Sequence, residues 1–314
     1  MNDAPADIPS RGKRTHYRAL RTATVILVLA CLAAYLWKSR HQIAGVLQIH
    51  PRFLFPMVLV PLASLAVNGW IGRDLALQFG ARLNFVEWYG LAAVNSLANY
   101  LPLPQAGALA RGVYLKRVHA LPYSPFMATL MVTYATAIAL YGACGLIGLT
   151  ILHVQGRASP WLLWIIFSAL TAAVLTLTPA SRVLPLPANL HGQLRSLRRH
   201  HLLARIILLQ AALVALTSTG LWLACKTVHG GEAVSWPSSI MLGLIILASG
   251  IANITPGNVG VEQFAAELTG RLLHLPPNVG LVASAIFRIV SMLTVLAIGP
   301  IFTALLARRR SRLL

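Results

Sequence analysis

The sequence predicts an all-α polytopic integral membrane protein: a helix bundle with two re-entrant, broken helical hairpins and an inverted repeat. Three observations lead there, namely composition, the placement of charge, and two Pro/Gly-rich interruptions within apolar runs. Of 314 residues, 57% are hydrophobic and 11% charged, with a mean hydropathy of +0.71, whereas a soluble domain carries about a quarter charged residues. An ordinary cytosolic enzyme is excluded. Runs of roughly twenty apolar residues match the thickness of a bilayer core.

Charge is lopsided, with 26 Lys and Arg against 7 Asp and Glu. No basic helix with base-reading polar residues accompanies this excess, so nucleic acid is not the expected partner. The basic residues lie between apolar runs, where they set orientation and meet anionic headgroups. Cys31, Cys144 and Cys225 lie far apart inside apolar segments and predict neither disulfide nor metal site. Val28 to Cys31 resembles a lipoprotein cleavage box, but the apolar run continues to Trp37 and reads as an uncleaved span.

In chain order, residues 1–21 form a polar, basic tail read as disordered and cytoplasmic. A transmembrane domain covers 22–307, and 308–314 form a second basic cytoplasmic tail. Spans are expected at 22–37, 53–71, 125–152, 160–178, 202–228 and 279–307. Arg73 and Arg82 follow the second span, a loop with Arg157 follows the third, and Arg182, Arg195, Arg198 and Arg199 mark a basic loop before 202. Both termini are therefore expected to be cytoplasmic.

Two further runs, 83–101 and 236–254, each contain asparagine and end in a Pro/Gly-rich break. Were 236–254 a complete crossing, the final arginines would fall outside, against the positive-inside tendency. Both are read as hairpins, returning by about Lys116 and His274; two full crossings apiece is the alternative. Two halves of about 100 residues emerge, 53–152 and 202–307, related by an inverted repeat. Their breaks share a spacing, Asn99-Tyr-Leu-Pro102 against Asn253-Ile-Thr-Pro256, followed by Gly107 and Gly260.

At membrane depth, backbone groups freed by proline and glycine are tolerated only inside protein or beside water. The first break, with Asn95, Asn99, Pro102, Pro104, Gln105 and Gly107, implies a polar cavity. Amides at the start of the next helix, with Arg111 as forked donor, suit an anion such as a lipid phosphate. The second break holds Asn253, Thr255, Pro256, Gly257, Asn258, Gly260 and Glu262, with Thr255 as N-cap and Pro256 at the first helical position. An unpartnered carboxylate there is costly, so Glu262 needs a basic partner or a proton. Arg288, about ten residues into the last span, is the candidate partner; insertion scales price a central arginine at about 2.5 to 3.5 kcal/mol.

Plainer readings stand beside these. The breaks can simply end helices, Arg111 can mark a cytoplasmic edge, and Glu262 with Arg288 can be a structural pair. Glu87 and Trp88 read as an interfacial anchor. Gly142, Gly145 and Gly148 read as a close-packing stripe. His191, His200 and His201 read as solvated loop residues. No phosphate loop, zinc-protease motif or serine-nucleophile elbow is encoded, so no cofactor, metal or enzymatic activity is expected.

The two breaks, Asn99-x-x-Pro102 with Gly107 and Arg111, and Thr255-Pro256-Gly257-Asn258-x-Gly260-x-Glu262 with Arg288, resemble the flippase-like transmembrane family of lysylphosphatidylglycerol synthases. The similarity covers roughly residues 20–310, and the Pro-Gly stretch is the more specific motif. The resemblance implies a multi-pass protein of a bacterial-type cytoplasmic membrane that handles lipid. It implies a stand-alone member, without the soluble domain that transfers an amino acid from tRNA to phosphatidylglycerol in bifunctional relatives. Some stand-alone relatives accompany hopanoid or glycolipid pathways.

The leading expectation is a flippase whose groove between inverted halves is lined by Asn95, Asn99, Gln105, Gly107 and Arg111 on one side. Asn253, Thr255, Gly257, Asn258, Gly260, Glu262 and Arg288 line the other, with Glu262 as proton site. Membrane lipids, either anionic phospholipid or a lipid-linked substrate, are the expected partners. A second reading is a non-transporting scaffold that recruits lipid-biosynthesis enzymes through Arg195, Arg198 and Arg199. A third, a membrane transferase acting on lipid-linked sugar, has only Asp74 and Glu87 to supply carboxylates on the cytoplasmic side after the second span.

Overall fold

A computed structural model of the chain describes residues 51–100, 105–156, 160–180, 192–194, 197, 200–228, 234–252 and 255–311. The 1–21 tail, the span at 22–37, Arg157, Arg182, His191, Arg195, Arg198 and Arg199 fall outside the described residues, as do Pro102, Pro104 and Asn253. Among those described, all regular structure is helical. We label the helices α1 (Leu54–Leu77), α2 (Phe85–Ala98), α3 (Ala106–His119), α4 (Tyr123–Val154), α5 (Trp161–Ala180), α6 (His200–Lys226), α7 (Trp236–Ala252), α8 (Val261–Leu272) and α9 (Val279–Ser311).

Four of them, α1, α4, α6 and α9, are long and apolar enough to cross a membrane. At 1.5 Å per residue the 32 residues of α4 extend about 48 Å, well beyond a hydrocarbon core of about 30 Å. The legs of the first hairpin, α2 and α3, have 14 residues each, and α8 has 12. Such helices reach about 18 to 21 Å and cannot cross alone.

Local chemistry sets the ends. Asn84 opens α2 with a capping box: its side chain accepts the Glu87 amide at 3.0 Å, and Glu87 Oε2 accepts the Asn84 amide at 3.0 Å. Ser235 precedes α7 and its Oγ accepts the Ser238 amide, while Pro237 occupies the first turn, where its missing N–H has no intrahelical partner to lose. The start of α9 is capped from outside, because Glu267 on α8 accepts the amides of Asn278 and Leu281, each at 3.3 Å.

The helices pack in a pattern that repeats. α1 packs on α2 as α6 packs on α7; α2 packs on α9 as α7 packs on α4; α2 packs on α3 as α7 packs on α8. α1 and α6 pack on each other, so exchanging the two sets of helices returns the same pairings. α5 stands apart from this scheme and packs on α4. Gly142 and Gly145 allow that approach, since a Cβ on either would overlap Thr171 or Phe167; Gly148 does the same for Met241 of α7.

Two carboxylates tie the bundle together. Asp74, buried within α1, pairs with Arg205 of α6 at 2.8 Å. Glu87 is buried, not laid along an interface: it is 1% exposed and meets Tyr114, His119 and Arg309 as well as the Asn84 amide.

Backbone approaches backbone closely where α8 meets α9. A Cβ on Gly280 would lie 2.5 Å from the Ala266 carbonyl oxygen, with backbone on both sides. Gly280→Ala is therefore expected to cost about 1 to 3 kcal/mol as α8 is pushed outward. Thermal unfolding in detergent measures this, with Gly192→Ala, where no atom lies within 4 Å of the added methyl, as the silent control.

Candidate functional site

The two breaks meet. The Gly257 amide donates to the Asn99 carbonyl at 2.7 Å, joining the end of the first hairpin's α2 to the second break. Gly257 adopts φ 58°, and a side chain there would strike the Tyr100 ring, so this position needs glycine for both conformation and space. Asn258 at φ 57° and Gly260 at φ 87° continue the left-handed path. Thr255 consequently does not cap α8: its hydroxyl donates to the Val259 carbonyl at 2.7 Å, and Gly260 holds the N-cap position.

Around this junction lies a cavity of about 390 Å³, within the range of about 300 to 1,000 Å³ typical of small-molecule sites. Seven helices contribute. α1 supplies Ser64 and Asn68, α2 Ser96 and its C-cap Asn99, α4 Thr133, Tyr134 and Tyr141, and α6 Gln210 and Thr217. α7 supplies Gly250, the second break Gly257 and Asn258, α8 Glu262, and α9 Ser284, Arg288 and Ser291.

Among the lining residues only Glu262 and Arg288 carry formal charge, and they face each other. Arg288 Nη1 donates to both Glu262 oxygens, at 3.3 and 3.1 Å. Asn258 Nδ2 adds donors to Glu262 Oε1 and Ser249 Oγ, each at 3.3 Å. The guanidinium also lies over the Tyr100 ring, 5.3 Å from its centroid. Two polar atoms of this constellation, Arg288 Nε and Asn258 Oδ1, are buried with no hydrogen-bond partner among the described residues. Unsatisfied buried groups are uncommon in folded proteins and point to a missing water or ligand.

The first break is built differently from the anion cradle its sequence implies. Asn99 Oδ1 accepts the Gly107 amide at 3.1 Å, so that N–H is already used. Gly107 itself lies against the Asn95 carbonyl, which makes it a packing residue of the α2–α3 hairpin. Gln105, at φ 54°, accepts from the Tyr134 hydroxyl at 3.2 Å. Arg111 rests on α1 at Gly72, where no side chain competes for the space. Both approach the cavity through Tyr134 and do not line it.

The cavity thus brings together Asn99, Gly257, Asn258, Glu262 and Arg288, while Asn95, Gly107, Thr255 and Gly260 shape the backbone around it. The sequence reading missed Tyr100, Tyr134, Tyr141, Asn68 and Gln210. A usable signal existed for some of them. Thr133, Tyr134 and Tyr141 fall on one face of α4 by helical spacing, and Gln210 is a lone amide well inside an apolar span.

A helical, highly apolar bundle with four helices long enough to cross a membrane, and with polar and charged side chains set around a cavity at its broken helices, defines a multi-pass membrane protein. The family model described as "Lysylphosphatidylglycerol synthase TM region" matches residues 18–299, and the chain belongs to that family, whose membrane proteins are linked to lipid modification or transport. No individually curated protein matches the chain.

Proposed function

We propose that the protein moves a polar or anionic lipid headgroup across the cytoplasmic membrane through this cavity, with the acyl chains remaining in the bilayer. The observation that carries this reading is the Glu262–Arg288 pair facing a polar cavity where the two breaks touch. Charge at that depth is expensive, and it is accompanied by hydroxyl and amide groups from α1, α2, α4, α6 and α9, as a passing headgroup requires. The exchangeable packing pattern supports two inverted halves, and the shortness of α2, α3 and α8 supports re-entrant hairpins. Alternating access would then be a rocking of one half against the other around the joined breaks.

In this reading Glu262 and Arg288 engage the headgroup, while Asn99 and Asn258 orient it. Arg111 offers a further cationic position behind Tyr134. Reconstitution with fluorescent phosphatidylglycerol tests the reading. Glu262→Gln and Arg288→Ala are each expected to slow transbilayer movement about tenfold or more, equivalent to about 1.4 kcal/mol of barrier. Wild-type rates in both variants, with folded protein confirmed by gel filtration, refute the assignment.

A further inference from the structure

We infer that a phosphodiester headgroup and a proton enter this cavity together, the phosphate taking Arg288 from Glu262 and the released carboxylate binding the proton. The inference deepens the transport reading by specifying what occupies the same site and on what terms.

The geometry presents Arg288 as the one formal cation among the lining residues. Its Nη1 is committed to Glu262, while its Nε has no hydrogen-bond partner among the described residues. The carboxylate therefore engages only part of the guanidinium fork, and a phosphate oxygen is the natural group to use the rest. As the cavity stands, the pair is electrically neutral. A phosphodiester arriving with Glu262 still ionised would leave two anions around one cation, a net negative charge in a setting where charge is costly. Uptake of one proton restores neutrality: Arg288⁺ with Glu262⁻, plus the anion and H⁺, becomes Arg288⁺ with the anion, plus neutral Glu262. No covalent bond changes, and charge balances on both sides.

Other groups around Glu262 do not offer that proton site. Ser249 approaches from α7, Asn258 from the second break, and Tyr100 from the tip of the first hairpin. Tyr134 and Tyr141 line the wall from α4, and Arg288 comes from α9. Phenols titrate near pH 10 and guanidinium higher still, so neither gains a proton between pH 5.5 and 8.5, which leaves the carboxylate to take it. Asn258 Nδ2 remains to satisfy the neutral acid's carbonyl oxygen after Arg288 has left.

The test uses the full chain in detergent with dihexanoyl-phosphatidylglycerol, in weakly buffered solution containing a pH dye. Wild type is expected to take up about one proton per lipid bound, and to weaken about tenfold in affinity per pH unit once Glu262 is ionised. Glu262→Gln is expected to bind without proton uptake and to vary less than about twofold across the same range. Dihexanoyl-phosphatidylcholine, whose own cation can stay beside Glu262, should bind with no proton uptake. Binding of the anionic lipid to wild type without proton uptake overturns the inference, and this holds even if Glu262→Gln does not fold. Retained uptake in a folded Glu262→Gln, or equal uptake with phosphatidylcholine, also overturns it. Dimethyl phosphate, a soluble phosphodiester that does not titrate in this range, should produce no uptake at the same concentration, and uptake with it would overturn the assignment to a lipid headgroup. Transbilayer movement is scored separately: lipid crossing without proton-linked binding leaves the transport reading standing alone, and proton-linked binding without crossing supports the exchange and defeats transport.

Discussion

Arg288→Met is expected to destabilise the protein by about 3 to 5 kcal/mol, because it strands a buried carboxylate that has lost its cation. Glu262 is buried and the Arg288 side chain is 22% exposed, so solvent compensates little of the loss. The double variant Glu262→Gln/Arg288→Met should recover most of that stability, since two neutral side chains of similar size leave no uncompensated charge in the bundle. Unfolding midpoints in detergent for the two single variants and the double form a complete cycle. A double variant as unstable as Arg288→Met alone would show that the arginine's packing on Tyr100, not its pairing, is what matters. The same double variant separates structure from function. It should be folded and inactive in lipid movement, whereas a folded double variant moving lipid at the wild-type rate reduces the pair to a structural tie.

Why was this pair readable in advance when its surroundings were not? A charged residue inside an apolar run demands a partner wherever the chain places it, so Glu262 and Arg288 announce each other without coordinates. The spans are legible for a related reason, since apolar runs bounded by arginines leave few alternatives. Their ends are less so. The second span, expected at 53–71, continues as α1 to Leu77, because Asp74 inside the helix is matched by Arg205 from α6. A hydropathy window stops at the first charges, whereas the helix continues where those charges find partners.

The breaks show the opposite limit. Thr255 and Pro256 form a sound N-terminal signal, yet left-handed residues at 257, 258 and 260 delay the helix to Val261. Local capping preference gave way to contact with the other break, made through the Gly257 amide and the Asn99 carbonyl. Nothing near either residue in sequence encodes that bond. The sequence puts Gln105 and Arg111 in the groove because they follow the first break, whereas in the structure Tyr134, which bonds Gln105, lines the cavity in their place. Tyr134, Tyr141 and Gln210 escaped notice because a phenol or amide in an apolar helix is ordinary until several helices converge on it.

Glu87 tests how far such convergence matters for stability. Its carboxylate accepts the Asn84 amide at 3.0 Å and the Tyr114 hydroxyl at 3.1 Å, and it lies 3.0 Å from His119 Nε2 and 3.3 Å from Arg309 Nε. Four donors, from α3, α9 and the α2 cap, converge on one side chain. Glu87→Ala opens the α2 capping box from one side, since Asn84 Oδ1 still accepts the residue 87 amide while the Asn84 amide loses its acceptor, at about 0.5 to 1.5 kcal/mol; it also leaves the partially buried phenol and imidazole without their acceptor. Arg309 is 43% exposed and regains water, so its share is discounted. The expected total is about 2 to 4 kcal/mol. Glu87→Gln should cost less, since its amide oxygen still accepts at the cap while the ionic contacts are lost. The consequence is directional: α2 carries Asn99 and α9 carries Arg288, and Glu87 with Arg309 fastens those two helices at one end. Limited trypsin digestion reads this directly. Cleavage at Arg308 and Arg309 should accelerate severalfold in Glu87→Ala and less in Glu87→Gln, and unchanged cleavage with an unchanged unfolding midpoint would show the four contacts to be idle.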